Sequence, residues 1–137
     1  MYAEDPEPRV TRITLSPKVR AASALLPDGS EQRFDLVILD PPAFIQRRKD
    51  MKKGLTAYRR INELGLKLLA PGGLLVSASC SMHLSRADLV GAIQQAACRA
   101  GCQLRVVEQH HQGPDHPVHV GLPETGYLKA LFFRLVP

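Results

Sequence analysis

No run of apolar residues in this 137-residue chain approaches the length that spans a bilayer, so a membrane-spanning protein is not expected. A secretory signal is not expected either, because the opening Met-Tyr-Ala-Glu-Asp-Pro-Glu-Pro is acidic and proline-rich. Cysteine is scarce and odd in number, at Cys80, Cys98 and Cys102, without the spacing of a small disulfide scaffold. Reduced thiols and a cytoplasmic protein are the expectation. Gly-x-Gly occurs nowhere, which removes the glycine-rich turn that commonly cradles a nucleotide or a cofactor carboxylate. Internal repeats and low-complexity segments are lacking as well. What remains is an ordinary globular composition, 45% hydrophobic and 23% charged, which excludes wholesale disorder. The length suits one domain. There are 18 Lys+Arg against 13 Asp+Glu, a formal charge of +5, which permits nucleic acid as a partner without requiring it.

The first 30 residues form a weakly patterned, irregular segment, in which only Arg9–Leu15 alternates like a strand. From residue 31 to 137 the texture is that of a folded domain. Phe34–Leu39 is short, branched and almost wholly apolar, as a parallel strand covered on both faces requires, and it stops at Asp40-Pro41-Pro42. A basic stretch, Arg47–Lys53, leads into Leu55–Ala70, where Tyr58, Ile61, Leu64, Leu68 and Leu69 recur at helical spacing. Pro71-Gly72-Gly73 is expected to end that helix and launch a second apolar strand, Leu74–Cys80. Ser85 suits the N-cap of a helix running to about Ala100, with Gly101 as its C-terminal cap. Gln103–Glu108 and Tyr127–Val136 read as two further strands, separated by a loop rich in His, Gly and Pro. Strand, helix, strand, helix, strand predicts an α/β sheet of doubly wound type, with the last strand antiparallel on an otherwise parallel sheet.

Ligands of such sheets bind at the carboxyl ends of the strands, and two of these strands end in chemistry. Asp40-Pro-Pro-Ala-Phe44 can make a stiff base-holding loop, with Phe44 as a stacking face and the carboxylate as a partner for an amino group or ring nitrogen. Its bland alternative is an Asp-Pro turn leaving a buried strand. Cys80, inside Ser79-Cys80-Ser81, can act as a nucleophile at a strand end; its alternative is an ordinary buried thiol. Arg47, Arg48, Lys49, Lys52, Lys53, Arg59 and Arg60 form a basic cluster suited to a phosphate backbone, or to a solvated helix face. Cys98 and Cys102, even with His110, His111, His116 and His119, match no standard zinc spacing, and no metal is expected.

Phe34–Phe44, Tyr58-Arg-Arg-Ile-Asn62, Pro-Gly-Gly73, Ser-Cys-Ser81, Asp-His-Pro117 and Tyr-Leu-Lys129 form an ordered series. It resembles the carboxyl-terminal part of the catalytic domain in the S-adenosylmethionine-dependent methyltransferases related to the large-subunit rRNA cytosine-5 methyltransferase I family, from about Arg33 to Pro137. The resemblance implies a class I methyltransferase (Rossmann-like) sheet whose last four strands are present, and activity on RNA, in particular rRNA. It implies that Cys80 attacks carbon 6 of cytosine, making carbon 5 enamine-like, while Asp40 holds the polar edge of the base and Pro41, Pro42 and Phe44 shape its pocket. Ala43 stands where many relatives carry lysine, and the family's glycine turn is expected upstream of the matched segment. The chain is therefore expected to be a partial catalytic domain with an incomplete cofactor site. Its open Phe34–Leu39 edge is expected to be filled by Arg9–Leu15 or by a second copy in a homodimer. Two other readings remain: methylation of an adenine or guanine amino group, and a non-catalytic module that binds RNA or self-associates.

Overall fold

The computed structural model describes residues 32–137; the strand expected at Arg9–Leu15 lies outside the described residues. Phe34–Leu39 forms β1 and is followed, in chain order, by α1 (Met51–Leu68), β2 (Leu69–Ser79), α2 (Arg86–Ala100), β3 (Leu104–His110) and β4 (Lys129–Leu135). Short 3-10 turns at Arg48–Asp50 and Pro123–Thr125 lie between them.

One four-stranded sheet results, in the order β1-β2-β4-β3. β1 and β2 are parallel neighbours, with Leu39 opposite Ser77. β4 inserts between β2 and β3 and runs antiparallel to both, so it is the last strand alone that reverses, as expected. α1 connects β1 to β2 and α2 connects β2 to β3, and both helices cover the same face, as crossovers of one hand require. There Tyr58, Ile61 and Leu68 of α1 and Leu89, Ile93 and Ala96 of α2 meet Val37, Leu39, Leu75, Leu131 and Phe133 of the strands in one buried cluster. On the opposite face Leu36 and Ile38 of β1 are exposed at 51% and 62%, and β1 is an edge strand among the described residues.

Two boundaries differ from the expected ones. α1 begins at Met51 rather than Leu55, because Met51, Lys52 and Lys53 have unbranched side chains that lose little freedom in a helix and extend its first turn. It ends before Ala70: Leu69 is already extended, at φ −85° and ψ 132°, and pairs with Phe34. Pro71-Gly72-Gly73 therefore lies inside β2. The ladder absorbs it as an irregularity, since Phe34 opposes Leu69 but Leu36 opposes Leu74. Gly72 supplies the one positive φ of that strand, +76°, and its carbonyl accepts from Arg134 of β4 at 3.0 Å. The caps of α2 fall where the sequence put them. Ser85 accepts from the amide of Asp88 at 3.0 Å, and Gly101 is left-handed at φ 66°.

Candidate active site

Asp40 is the first residue beyond β1 and Cys80 the first beyond β2, so both stand at the carboxyl edge of adjacent parallel strands, and both are exposed. Continuing the register from Leu39 and Ser77 puts Asp40 level with Ala78. Cys80 then lies two residues farther, roughly 7 Å along a strand about 4.8 Å away. Thus the two candidate residues share one rim of the sheet, the place where open α/β sheets bind ligands.

The loops that carry them are tied together through α1. Tyr58, fully buried, places its hydroxyl 2.7 Å from Ser79 Oγ and 2.8 Å from Ser81 Oγ, the two serines flanking Cys80. The same hydroxyl accepts from the amide of Phe44 at 3.5 Å, and Ser81 Oγ accepts from the amide of Ile45 at 3.4 Å. Ser79 Oγ also accepts from the Ser81 amide at 3.1 Å. One phenol and two hydroxyls therefore lock the end of the Asp-Pro-Pro-Ala-Phe loop against the Cys80 turn. Phe44 rests on the Tyr58 ring, centroids 4.8 Å apart and planes tilted by 56°.

Of the residues expected to shape a base pocket, Pro42 is exposed, Phe44 is half-buried and Pro41 is buried. Pro41 is thus packed within the turn, while Pro42 and one side of Phe44 stay accessible. Ile45 docks on the first turn of α1 at Gly54, where a Cβ would stand 2.0 Å from Ile45 Cγ1. That close approach seats the basic segment beside the rim. Lys49, Lys52 and Lys53 line a surface groove of about 530 Å³ together with Thr56, Ala57 and Arg60. Arg48 is exposed, and Arg47 is drawn to Asp50 at 3.2 Å. Arg59 is held by Glu63 at 3.1 Å, so Arg47 and Arg59 are the members of the basic cluster that pair with carboxylates here.

Two features received no role from the sequence, although their residues stand in the series that carries the resemblance: the Tyr58–Ser79–Ser81 network and Lys129. Helical spacing says that Tyr58 faces inward but not what its hydroxyl meets. Lys129 did leave a signal, because it shares the inward parity of Leu131, Phe133 and Leu135 in β4, an unusual place for a cation. Its ammonium donates to the carbonyls of Ser81 at 2.7 Å and Leu84 at 2.5 Å. Burial and then Arg86 push its pKa below the ordinary lysine range, while Cys80 acts in the opposite sense.

The remaining cysteines stand apart from this rim. Cys98 is exposed near the end of α2, and Cys102 follows the Gly101 cap; burial, then Cys98, pushes the Cys102 thiol up. Among the described residues no group of three or more His, Cys, Asp and Glu is placed to hold a metal ion, and no helix is long and apolar enough to cross a membrane.

No protein-family model matches the chain. Its sequence is 42% identical over 107 residues to a ribosomal RNA large subunit methyltransferase of Deinococcus radiodurans, covering 78% of this chain and 26% of that protein. It is 41% identical over 106 residues to ribosomal RNA large subunit methyltransferase I of Yersinia pseudotuberculosis, covering 77% and 26% respectively. A crystal structure assigned as a methyltransferase complexed with SAH superposes with a TM-score of 0.61 at 21% identity, covering 75% of this chain and 26% of the other. The fold is accordingly a partial class I methyltransferase fold. The chain spans about a quarter of the length of the curated relatives it matches, and over that span it is related to the ribosomal RNA large subunit methyltransferases.

Proposed function

We propose that this chain supplies the base-holding and nucleophile-bearing part of an S-adenosylmethionine-dependent rRNA methyltransferase, directed at carbon 5 of cytosine. One observation carries the reading: Asp40 and Cys80 end adjacent parallel strands on the same rim, with their loops fastened to each other by the Tyr58 hydroxyl. A chain 42% identical to a large-subunit rRNA methyltransferase adds the substrate class.

The chemistry follows from what each group can do. Cytosine carbon 5 is a poor nucleophile. Addition of the Cys80 thiolate to carbon 6 forms a sulfur–carbon bond, breaks the ring's 5,6 double bond and leaves carbon 5 electron-rich. Asp40 holds the polar edge of the base, and the negative charge that thiolate addition places on the ring is taken up by a proton passed through the Asp40 carboxyl group to ring nitrogen 3, which is returned when sulfur leaves. Pro42 and the open side of Phe44 bound the flipped base. Departure of sulfur, after loss of the carbon 5 proton, restores the double bond. Lys49, Lys52 and Lys53, with exposed Arg48 and the partly engaged Arg47, hold flanking phosphates.

S-adenosylmethionine supplies the methyl group in this reaction class. The described residues do not make a cradle for it. Gly-x-Gly is lacking from the chain, and Gly72-Gly73 sits in the early part of β2, at the end of the sheet away from Cys80. The glycine-rich part of its site is therefore supplied from outside the described residues, and the rim formed by Asp40 and Cys80 serves the acceptor base.

The test joins this chain to the preceding part of a relative's catalytic domain and measures methyl transfer to an rRNA transcript. Cys80→Ala should abolish transfer, and RNA carrying 5-fluorocytosine should trap a covalent adduct through Cys80, because fluorine cannot leave as a proton does. Retained transfer in Cys80→Ala with no adduct would overturn the cytosine-5 reading and favour methylation of an exocyclic amino group.

A further inference from the structure

Cys80 is flanked on both sides along the rim, and Asp40 accounts for one side only. The strand order β1-β2-β4-β3 puts the β3–β4 connection on the other. Ser79 opposes Lys129 and His110 opposes Ala130, so extending both ladders brings Cys80, Leu128 and Gln112 level on three adjacent strands. The connection between Gln112 and Leu128 therefore rises from the rim next to Cys80.

Its foot is fastened. Gln112 is buried, accepts from the Leu128 amide through Oε1 at 3.2 Å and donates through Nε2 to the Thr125 carbonyl. Thr125 Oγ1 in turn accepts from the His119 amide and donates to the Leu122 carbonyl, both at 2.7 Å. His119 to Leu122 is a tight turn, closed by the Leu122 amide on the His119 carbonyl at 3.0 Å, with Val120 at its corner. Such corners normally fall to Gly, Pro, Asn, Asp or Ser. Val120 is instead β-branched and 99% exposed, so neither turn chemistry nor packing accounts for it. Val118 and Leu122 are exposed as well, and so is Met82 in the turn after Cys80. These four are half of the eight large apolar side chains exposed among the described residues, a concentration at one rim that singly scattered surface residues do not show.

We propose that this loop is the second wall of the acceptor site, and that its apolar tip, with Met82, takes the RNA bases flanking the target cytosine. A base extruded to reach Cys80 breaks the stacking of its neighbours, and their uncovered faces call for apolar cover. Aliphatic side chains supply such cover where proteins part stacked bases. The rim then divides the nucleotides, with phosphates going to Lys49, Lys52 and Lys53 and bases to Val120 and its neighbours. The inference rests on the reading of the Asp40–Cys80 rim as the acceptor site, yet it is measurable in this chain without methyl transfer.

Fluorescence anisotropy of this chain with a labelled single-stranded RNA, and with an abasic RNA of the same length, separates base contacts from phosphate contacts. The unaltered chain should bind the base-bearing RNA more tightly than the abasic one. Val120→Ser should weaken binding of the base-bearing RNA about tenfold. It should leave the abasic RNA unaffected and the slope of log affinity against log salt unchanged. Lys52→Ala combined with Lys53→Ala should instead weaken both RNAs alike and flatten that slope. Val120 packs against nothing, so its variant should keep the circular dichroism of the unaltered chain. Equal binding of the two RNAs by the unaltered chain overturns the proposal, as does undiminished binding of the base-bearing RNA by Val120→Ser. A loss confined to association with the preceding part of a relative's domain would overturn it too, making the tip a contact between parts of the protein. Full methyl transfer by Cys80→Ala in the joined chain would defeat the cytosine-5 reading while leaving the RNA measurement intact, so the two failures are distinguishable.

Discussion

Tyr58 brings one hydroxyl to three partners in a site with no exposure to water, and that makes its oxygen the most consequential single atom of the rim. The phenol has one proton to give and two lone pairs to accept with. The Phe44 amide, Ser79 Oγ and Ser81 Oγ together match that capacity. Tyr58→Phe keeps the ring on Phe44 but strands the serine hydroxyls in a buried pocket, where an unpaired polar group costs about 1–3 kcal/mol. We expect a loss of that size in urea unfolding, together with faster hydrogen exchange at the amides of Phe44 and Ile45. Ser79→Ala and Ser81→Ala should be milder, since each leaves the phenol another partner. At this scale the sequence was informative about which residues end strands and silent about what closes over them. Asp40 and Cys80 are visible because proline and a strand end announce themselves in order along the chain. The hydrogen bond from Tyr58 to Ser79 spans 21 positions and that from Lys129 to Ser81 spans 48. Local patterning does not encode such distances.

Among the elements, α1 does most to position the site, and both of its ends differ from those that the sequence pattern predicts. Its first turn is drawn from the basic stretch, so Lys52 and Lys53 project from a helix beginning at Met51, while Lys49 sits on the 3-10 turn just before it. Their spacing is then helical, with Lys49, Lys52, Lys53, Thr56 and Arg60 along one groove. Gly54 allows this arrangement. Any side chain there would enter Ile45, whose Cγ1 stands 2.0 Å from the place a Cβ would take, and the Phe44 carbonyl follows at 3.2 Å. Alanine normally stabilises a helix relative to glycine by up to about 1 kcal/mol. Here overpacking works against it at about 1–3 kcal/mol, so Gly54→Ala should lower the melting temperature rather than raise it. By contrast Gly91→Ala on α2, where an added Cβ meets nothing within 4 Å, should raise it. Comparing the two melts by circular dichroism separates propensity from fit. β2 taught a similar lesson. Pro71-Gly72-Gly73 has the composition of a helix-to-strand connection, but Leu69 finds a partner in Phe34 before the turn arrives, and pairing across strands overrode the local signal.

For the molecule as a whole, the helices cover one sheet face, and the strand order β1-β2-β4-β3 leaves β1 at the edge. The overall plan was legible because each crossover is short and of fixed hand. The placement of β4 between β2 and β3 was not, since a hairpin predicts pairing with β3 but says nothing of its other neighbour. That placement matters functionally, for it brings Lys129 next to Ser79. The described residues thus gather an acid, a thiol, a buried cation and a basic groove on one side, all of them suited to the acceptor base and its phosphates. The donor side is a different matter. Binding an adenosine and a sulfonium needs a close backbone approach and an acidic partner at further strand ends, and of the two strand ends that carry Asp40 and Cys80 only the first bears an acid, already engaged in the proposed handling of the base. This chain alone should therefore give no heat of binding with S-adenosylmethionine in titration calorimetry. When it is joined to the preceding part of a relative's domain, binding should emerge and survive Cys80→Ala, because the thiol serves the base rather than the donor. Micromolar binding by the unaccompanied chain would mean that its own residues build a donor site, and the division of the two substrates between two parts of the domain would then be wrong.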